Sequence, residues 1–260
     1  MIPAARHRFI LDLLSKHQVL SINELAEKLD VSSMTIRRDI RKLEDKEEVS
    51  SVSGGVQLNN NLHNEPSYEI KSTLNSDRKS SIGIAASKFI PKNTSVYLDA
   101  GTTSLEIAKQ ISHRNDLVII TNDFVIASYF SRNSECEIYH TGGRIDKDNQ
   151  SCVGNKVADF LSGINIDIAF ISTSSWSLKG ISTPSEQKVV VKQAVSKAAK
   201  TNILISDSSK YGRVATFHAI DIESFHTIVT DNAFPNNAVN ELEKKGIKVV
   251  KDNVEFINKA

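Results

Sequence analysis

From residue 95 onward the chain alternates between short β-favouring runs and stretches with helical apolar spacing. The runs fall at 95–98, 117–120, 137–140, 166–171, 203–206, 227–229 and 247–250. Helical patterns lie between most of them, at 103–111, 125–130, 156–161 and 186–200. Such alternation predicts a mostly parallel sheet covered on both faces. Ligands on sheets of this kind sit at the carboxyl ends of the strands.

Those ends are polar and glycine-rich. Asp99-Ala100-Gly101-Thr102-Thr103 follows the first run and opens a helix. There a glycine permits close approach, two hydroxyls can donate, and a helix N-terminus attracts an anion. Thr121-Asn122-Asp123, Thr141-Gly142-Gly143-Arg144, Ser172-Thr173-Ser174-Ser175-Trp176 and Asp207-Ser208-Ser209-Lys210 end the next four runs. Any one of these turns alone is explained as a structural cap. Five together point to one shared pocket.

A different unit precedes this pattern. Ser21-Ile22-Asn23-Glu24 has the S-x-x-E form of a capping box, and Leu25, Ala26 and Leu29 continue it as an apolar face. Asp30-Val31 makes a tight connection to Ser32, a good N-cap for a second helix. Ile36, Ile40 and Leu43 form that helix's apolar stripe, with Arg37, Arg38, Arg41 and Lys42 off it. Over 33–43 there are four bases against one acid, Asp39, a balance of about +3. Helix, short turn and basic helix, over about Leu20 to Asp39, is a helix-turn-helix whose second helix reads base edges in the major groove. Ser32, Ser33, Met34, Thr35, Arg37, Arg38, Arg41 and Lys42 are the expected DNA-binding residues. A first helix at 4–16, with Phe9, Ile10, Leu13 and Leu14 on one face, comes before it. A hairpin over 49–58, around Gly54-Gly55, comes after it as a wing.

With a formal net charge of +1 over 260 residues, global electrostatics announce no nucleic-acid partner, so the local basic helix carries that signal. Cys136 and Cys152 form no C-x-x-C pair and read as inert thiols. No apolar run approaches the roughly 20 residues that span a bilayer, and the N-terminus lacks a signal-peptide core; a cytoplasmic protein with no membrane partner is expected. His218 and His226 have no metal-ligand spacing, and no metal, cofactor or catalytic residue is expected. His7 and His17 read as surface residues, with phosphate contact open to His7. His140 reads as structural, Trp176 as core or pocket wall, and Lys192, Lys197 and Lys200 as a solvated helix face. The asparagine-rich stretch 59–66 reads as a polar connector. Residues 67–90 read as a helical segment, basic at Arg78-Lys79.

The N-terminal stretch resembles the DeoR family of bacterial transcription repressors. The matching residues are Arg8, Ile10, Leu13, Leu14, the helix at 22–29, Val31-Ser32, Thr35-Ile36-Arg37-Arg38-Asp39, Leu43-Glu44 and Gly54-Gly55. The family carries a basic residue and a histidine in the wing where this chain has Ser51 and Ser53, which implies fewer phosphate contacts from the wing. Residues 75–232 resemble the DeoR effector domain, similar in fold to sugar-phosphate isomerases, through Asp99-x-Gly101-Thr102-Thr103, Thr121-Asn122, Gly142-Gly143, Gly154 and Asp207-Ser208-Ser209-Lys210. The resemblance implies that Gly101, Thr102 and Thr103 cradle a phosphate or carboxylate. Asp99, Asn122, Asp207 and Lys210 would contact the rest of a sugar-derived ligand. Ser174-Ser175-Trp176 replaces a glycine-rich turn of the family and, with Thr183 and Glu186, would tune the effector.

The expectation is therefore an α/β chain. A winged helix-turn-helix DNA-binding domain occupies 1–58, a linker 59–74 and a Rossmann-like effector-binding domain 75–260. Its partners would be double-stranded operator DNA and a small phosphorylated sugar or sugar acid. Two-fold operators would require a homodimer or homotetramer. The second reading is a sugar-phosphate isomerase with an accessory N-terminal domain, in which Asp99, Asp207, Glu186 and Lys210 supply acid–base groups. The capped basic helix and wing have no use in an isomerase.

Overall fold

A computed structural model describes residues 2–252 apart from 18, 47, 53, 59, 60, 63 and 64. The chain divides into two compact units, with the division between residues 61 and 62.

The first unit holds helices α1 (Pro3–Lys16), α2 (Ile22–Leu29) and α3 (Ser33–Glu44), then a hairpin of strands Val49–Val52 and Gly55–Leu58. Its core is Ile10, Leu14, Leu20, Leu25, Leu29, Ile36, Ile40, Leu43, Val49 and Val56. Phe9, expected on the inner face of α1, is 51% exposed; one residue before Ile10, it points about 100° around the helix from the stripe set by Ile10 and Leu14. The capping box forms in full. Ser21 Oγ accepts from the Glu24 N–H, and the Glu24 carboxylate accepts from the Ser21 N–H. Asp30 takes a left-handed conformation (φ 50°) that ends α2 and turns the chain toward α3.

The wing is tied down by the Leu20–Val56 bridge, with bonds of 3.0 and 2.8 Å. Gly55 makes that approach possible, since a Cβ there would stand 2.3 Å from the Leu20 carbonyl oxygen. Gly55→Ala is expected to force the bridge apart and cost this unit about 1–3 kcal/mol, the usual range for overpacking. Urea unfolding of the variant checks it. Ser53, one of the two departures in the wing, lies outside the described residues.

The second unit is built on a seven-stranded sheet. Its order is Lys248–Lys251, Thr227–Thr230, Ala199–Ile205, Ile166–Ser172, Ser95–Leu98, Val118–Thr121, Glu137–His140. Every neighbouring pair is parallel. Side chains alternate between two cores along each strand. Val96 and Leu98, Ile168 and Phe170, and Ile203 and Ile205 face one side. Tyr97, Ala169, Ile171 and Leu204 face the other. On the first side pack α5 (Ser76–Ser87), α6 (Thr102–Ile111) and α7 (Phe124–Asn133). On the second pack α8 (Asn155–Ser162), α9 (Glu186–Ala198) and α10 (Asn236–Lys244). The fold is thus α/β, a winged helix-turn-helix followed by a Rossmann-like unit.

Three details depart from expectation. Residues 67–90 form two helices, α4 (Tyr68–Thr73) and α5, because Asn75 is left-handed (φ 53°) and breaks the run. Helix α9 stops at Ala198, and Ala199 and Lys200 already belong to the strand, where Ala199 pairs with Ile166. Two small antiparallel additions decorate the sheet: Ser175–Ser177, Gly180–Thr183 and Phe217–Asp221 form one, Arg144–Asp146 and Ser151–Val153 the other.

Trp176 settles as core. It is fully buried, stacks on Phe234 at 5.3 Å and donates its indole N–H to Ser206 Oγ at 3.0 Å.

Candidate functional site

Two sites emerge, one in each unit. On α3, Ser32 caps the first turn by accepting from the Thr35 N–H at 3.2 Å, and its hydroxyl also meets the Thr35 hydroxyl at 2.9 Å. Ser33 donates to Asn23 Oδ1 on α2 at 3.3 Å, which fixes the angle between the two helices. These three side chains are therefore partly engaged in building the motif. Met34, 71% exposed, and Arg37, Arg38, Arg41 and Lys42 project from the opposite side to Ile36, Ile40 and Leu43. A furrow lined by Arg37, Arg41, Glu44, Ser51 and Gly54 separates α3 from the wing.

Asp39 does not belong to that exposed face. It is 2% exposed, and its carboxylate accepts from Arg6 Nε at 2.5 Å and a second guanidinium nitrogen at 3.1 Å. His7 Nε2 lies 3.0 Å away on the same carboxylate. Burial pushes the Asp39 carboxyl up, but Arg6 and His7 outweigh it and hold it below the usual aspartate range. The charge balance of about +3 taken over 33–43 thus understates the surface of that stretch, where the four bases face out and Asp39 does not; Glu44, the last residue of the helix, is the acid beside them. His7, read as a surface residue, is bound into this cluster instead. Ser51, standing where the family carries a base, ties the wing to α3 by donating its N–H (2.9 Å) and hydroxyl (2.6 Å) to Glu44 Oε1.

The second site lies where the sheet order reverses. From Ser95–Leu98 the chain leaves through α6 on one face. From Ile166–Ser172 it leaves toward α9 on the other. The two connections part, and a crevice opens at the carboxyl ends of these adjacent strands. It encloses about 600 Å³, its open mouth included. Of the residues singled out from the sequence, Asp99, Gly101, Thr102, Thr103, Asn122, Ser174 and Lys210 line it.

The N-terminus of α6 sits at this crevice with no side chain capping it. Gly101 adopts φ 141°, a conformation that side chains rarely take, and its N–H is taken by Asp123 Oδ2 at 3.0 Å. The donors available for an anion therefore start at Thr102. Asn122 is held as a wall: its amide donates to the Cys152 carbonyl at 2.9 Å, and its oxygen accepts from the Tyr97 hydroxyl at 2.9 Å.

Four expected residues lie outside the lining. Gly142 and Gly143 turn the chain into the Arg144–Asp146 hairpin, and the Gly142 N–H donates to His140 Nδ1 at 3.1 Å. Glu186 is exposed at the start of α9, because the inward face of that helix is Lys188, Val191, Lys192 and Val195. Asp207 is buried behind the lining, 3.6 Å from Lys210 Nζ, and orients that lysine instead of meeting the cavity.

Sequence reasoning missed six polar lining residues: Glu65, Lys71, Asn149, Ser151, Lys188 and Lys192. Lys192, expected in solvent, is buried; its ammonium donates to Asp99 Oδ2 at 2.7 Å and the Ser172 carbonyl at 2.8 Å. The i, i+3, i+4 spacing of Lys188, Val191 and Lys192 was the available signal. Lys188 pairs with Glu65 at 2.9 Å and Asp146 at 3.3 Å, and Lys71 with Glu65 at 3.5 Å. Burial pushes the Glu65 carboxyl up, but Lys188 and Lys71 outweigh it and hold it down at about 2. Burial, with Lys210 nearby, pushes Lys79 down to about 8.

A helix-turn-helix with an exposed basic face, and an α/β unit with a cationic crevice at its switch point, define a DNA-binding transcription regulator that carries a sensor unit. Two family models match. Residues 6–61 match the DeoR-like helix-turn-helix domain, and residues 74–232 match the DeoR C terminal sensor domain. An uncharacterized HTH-type transcriptional regulator of Haemophilus influenzae is 53% identical over 249 residues, 96% of this chain and 97% of that one. The regulator YgbI of Escherichia coli is 44% identical over 96% of this chain and 98% of its own. The repressor GlcR of Bacillus subtilis is 30% identical over 93% of each. The chain belongs to the DeoR family. A solved ribose 5-phosphate isomerase from Plasmodium falciparum is similar over 51% of this chain and 53% of that one, with 17% identity and a TM-score of 0.37; this likeness marks neither an activity nor a ligand. The relatives are regulators, and the isomerase reading is set aside. No helix among the described residues is long and apolar enough to cross a membrane, and no group of three or more metal-ligating side chains occurs among them.

Proposed function

We propose that this chain represses a carbohydrate or sugar-acid catabolic operon by binding operator DNA through α3. A small phosphorylated sugar or sugar acid, bound in the crevice, relieves that repression. The observation that carries the reading is the meeting of an uncapped helix N-terminus at Gly101–Thr103 with Lys71, Lys188, Lys192 and Lys210 in one cavity. First-turn N–H groups and ammonium groups favour an anion. Asp99 and Asn122 suit the hydroxyls of a sugar-derived chain. Binding that favours one conformation shifts the population away from the DNA-competent one. The regulator works in the cytoplasm as a homodimer or homotetramer, so that two copies of α3 meet half-sites whole helical turns apart.

A thermal-shift screen of phosphorylated sugars and sugar acids against the full chain tests the sensor. A true effector at a hundred times its Kd adds about 2.7 kcal/mol to the folded state and raises the midpoint. The same compound must also weaken operator binding in a gel shift. A set of sugar phosphates and acids that moves neither readout sinks the reading.

The DNA side has its own test. Arg38→Ala is expected to weaken operator binding by about 1–3 kcal/mol if the guanidinium reads a base. Undiminished affinity at fixed salt removes it from the interface.

A further inference from the structure

Glu65 stands three residues before α4 and seven beyond the end of the wing strand at Leu58. The composition of its surroundings reads as a connector, yet the side chain reaches the lining of the crevice. Its carboxylate accepts from Ser174 Oγ at 2.8 Å, Lys188 Nζ at 2.9 Å and Thr183 Oγ1 at 3.4 Å, with Lys71 Nζ at 3.5 Å. Two ammonium groups and two hydroxyls converging on a carboxylate are the donor set that would hold a ligand's phosphate or carboxylate.

We propose that Glu65 is an internal anion occupying the effector's anion subsite, and that an entering effector anion displaces it. The proposal rests on reading this crevice as the effector site. Glu65 leaves behind Lys71, whose other partner is Asn149 Oδ1, and Lys188, which keeps Asp146. A dianion entering there restores the balance that Glu65 had supplied. The displaced residue lies on the segment that leads back to the DNA-binding unit, so ligand entry is felt in the connection and not only in the cavity. That segment is also held to its own unit by Lys71, which donates to Asn149 Oδ1, by Lys79, which donates to the Lys71 carbonyl, and by two further bonds. The Tyr68 N–H donates to the Asp148 carbonyl at 2.7 Å, and Gln150 Nε2 to Glu69 Oε1 at 3.0 Å.

The test uses the full chain and inorganic phosphate as probe, with affinity read by calorimetry. An internal competitor lowers apparent affinity by the fraction of molecules in which the site is open. If that fraction is under about one in ten, Glu65→Gln binds phosphate about tenfold or more tighter than the wild type. Loss of a nearby negative charge alone also favours an anion, so a second measurement is made on the unmutated protein. Amide hydrogen exchange over residues 65–73 rises when phosphate binds if Glu65 is displaced. Phosphate binding to the wild type with those amides unchanged or better protected overturns the proposal, as does an E65Q variant that binds phosphate no more tightly. Either result leaves the crevice standing as an anion site. Failure of both proteins to bind phosphate overturns the proposal together with the anion-site reading beneath it.

Discussion

Asp39→Ala unfolds the DNA-binding unit at much lower denaturant than the parent, with a loss of about 3–5 kcal/mol. Its carboxylate is 2% exposed and holds two guanidinium nitrogens of Arg6 and the ring of His7. Removing it takes from Arg6 and His7 the buried carboxylate that both of them hold. Each kcal/mol moves the midpoint of a unit of about 60 residues by about 4–8 °C, so the change is large on any thermal scan. The pH dependence has a definite sign. Because the folded carboxyl is held below its ordinary value, the stabilisation is fully present above the unfolded pKa of about 3.9 and is lost as pH falls through the lower folded value. Operator affinity of the variant, measured where it is still folded, should remain close to the parent's, since Asp39 lies off the exposed basic face of α3. A variant that keeps its stability and loses operator binding would place Asp39 on the DNA side.

The second large effect is in the sensor unit. Lys192→Met is expected to cost about 3–5 kcal/mol, because it strands Asp99 in a buried position at the end of the inner strand Ser95–Leu98. Asp99 keeps the N–H groups of Ala100 (2.9 Å) and Ser172 (3.0 Å), which hold its geometry but do not neutralise it. The double variant Asp99→Asn with Lys192→Met should recover most of the loss, since removing both charges removes the desolvation problem along with the attraction. Additive losses in the double-mutant cycle, read from urea unfolding, would show that the two side chains are not coupled.

Much of the architecture was legible because it rests on periodicity. All seven expected runs appear in one sheet, since alternation of strand and helix leaves a chain few other ways to bury both. The capping box at Ser21 and Glu24, the cap at Ser32 and the stripe of Ile36, Ile40 and Leu43 depend only on local spacing and formed as written. The crevice was legible in part, through residues that follow strands directly: Asp99, Gly101, Asn122 and Ser174. What stayed hidden depends on contacts distant in sequence. Lys192 is a buried cation only because the carboxylate of Asp99 lies 93 positions away. Glu65 meets Lys188 across 123 positions. Asp39 counts as an acid on a basic helix until Arg6, 33 positions earlier, takes it inward. Strand order was also unreadable, and it decides that Gly142 and Gly143, at the edge strand Glu137–His140, stand away from the reversal point.

Because successive residues along each strand serve opposite cores, the two sides of the sheet can diverge separately. The side packed by α8, α9 and α10 carries Lys188 and Lys192 inward from α9. The side packed by α5, α6 and α7 presents backbone donors at Thr102 and Thr103. Substitutions on α9 can therefore change which ammonium groups line the crevice, while the first-turn N–H groups on the opposite layer are backbone and outlast any side-chain change.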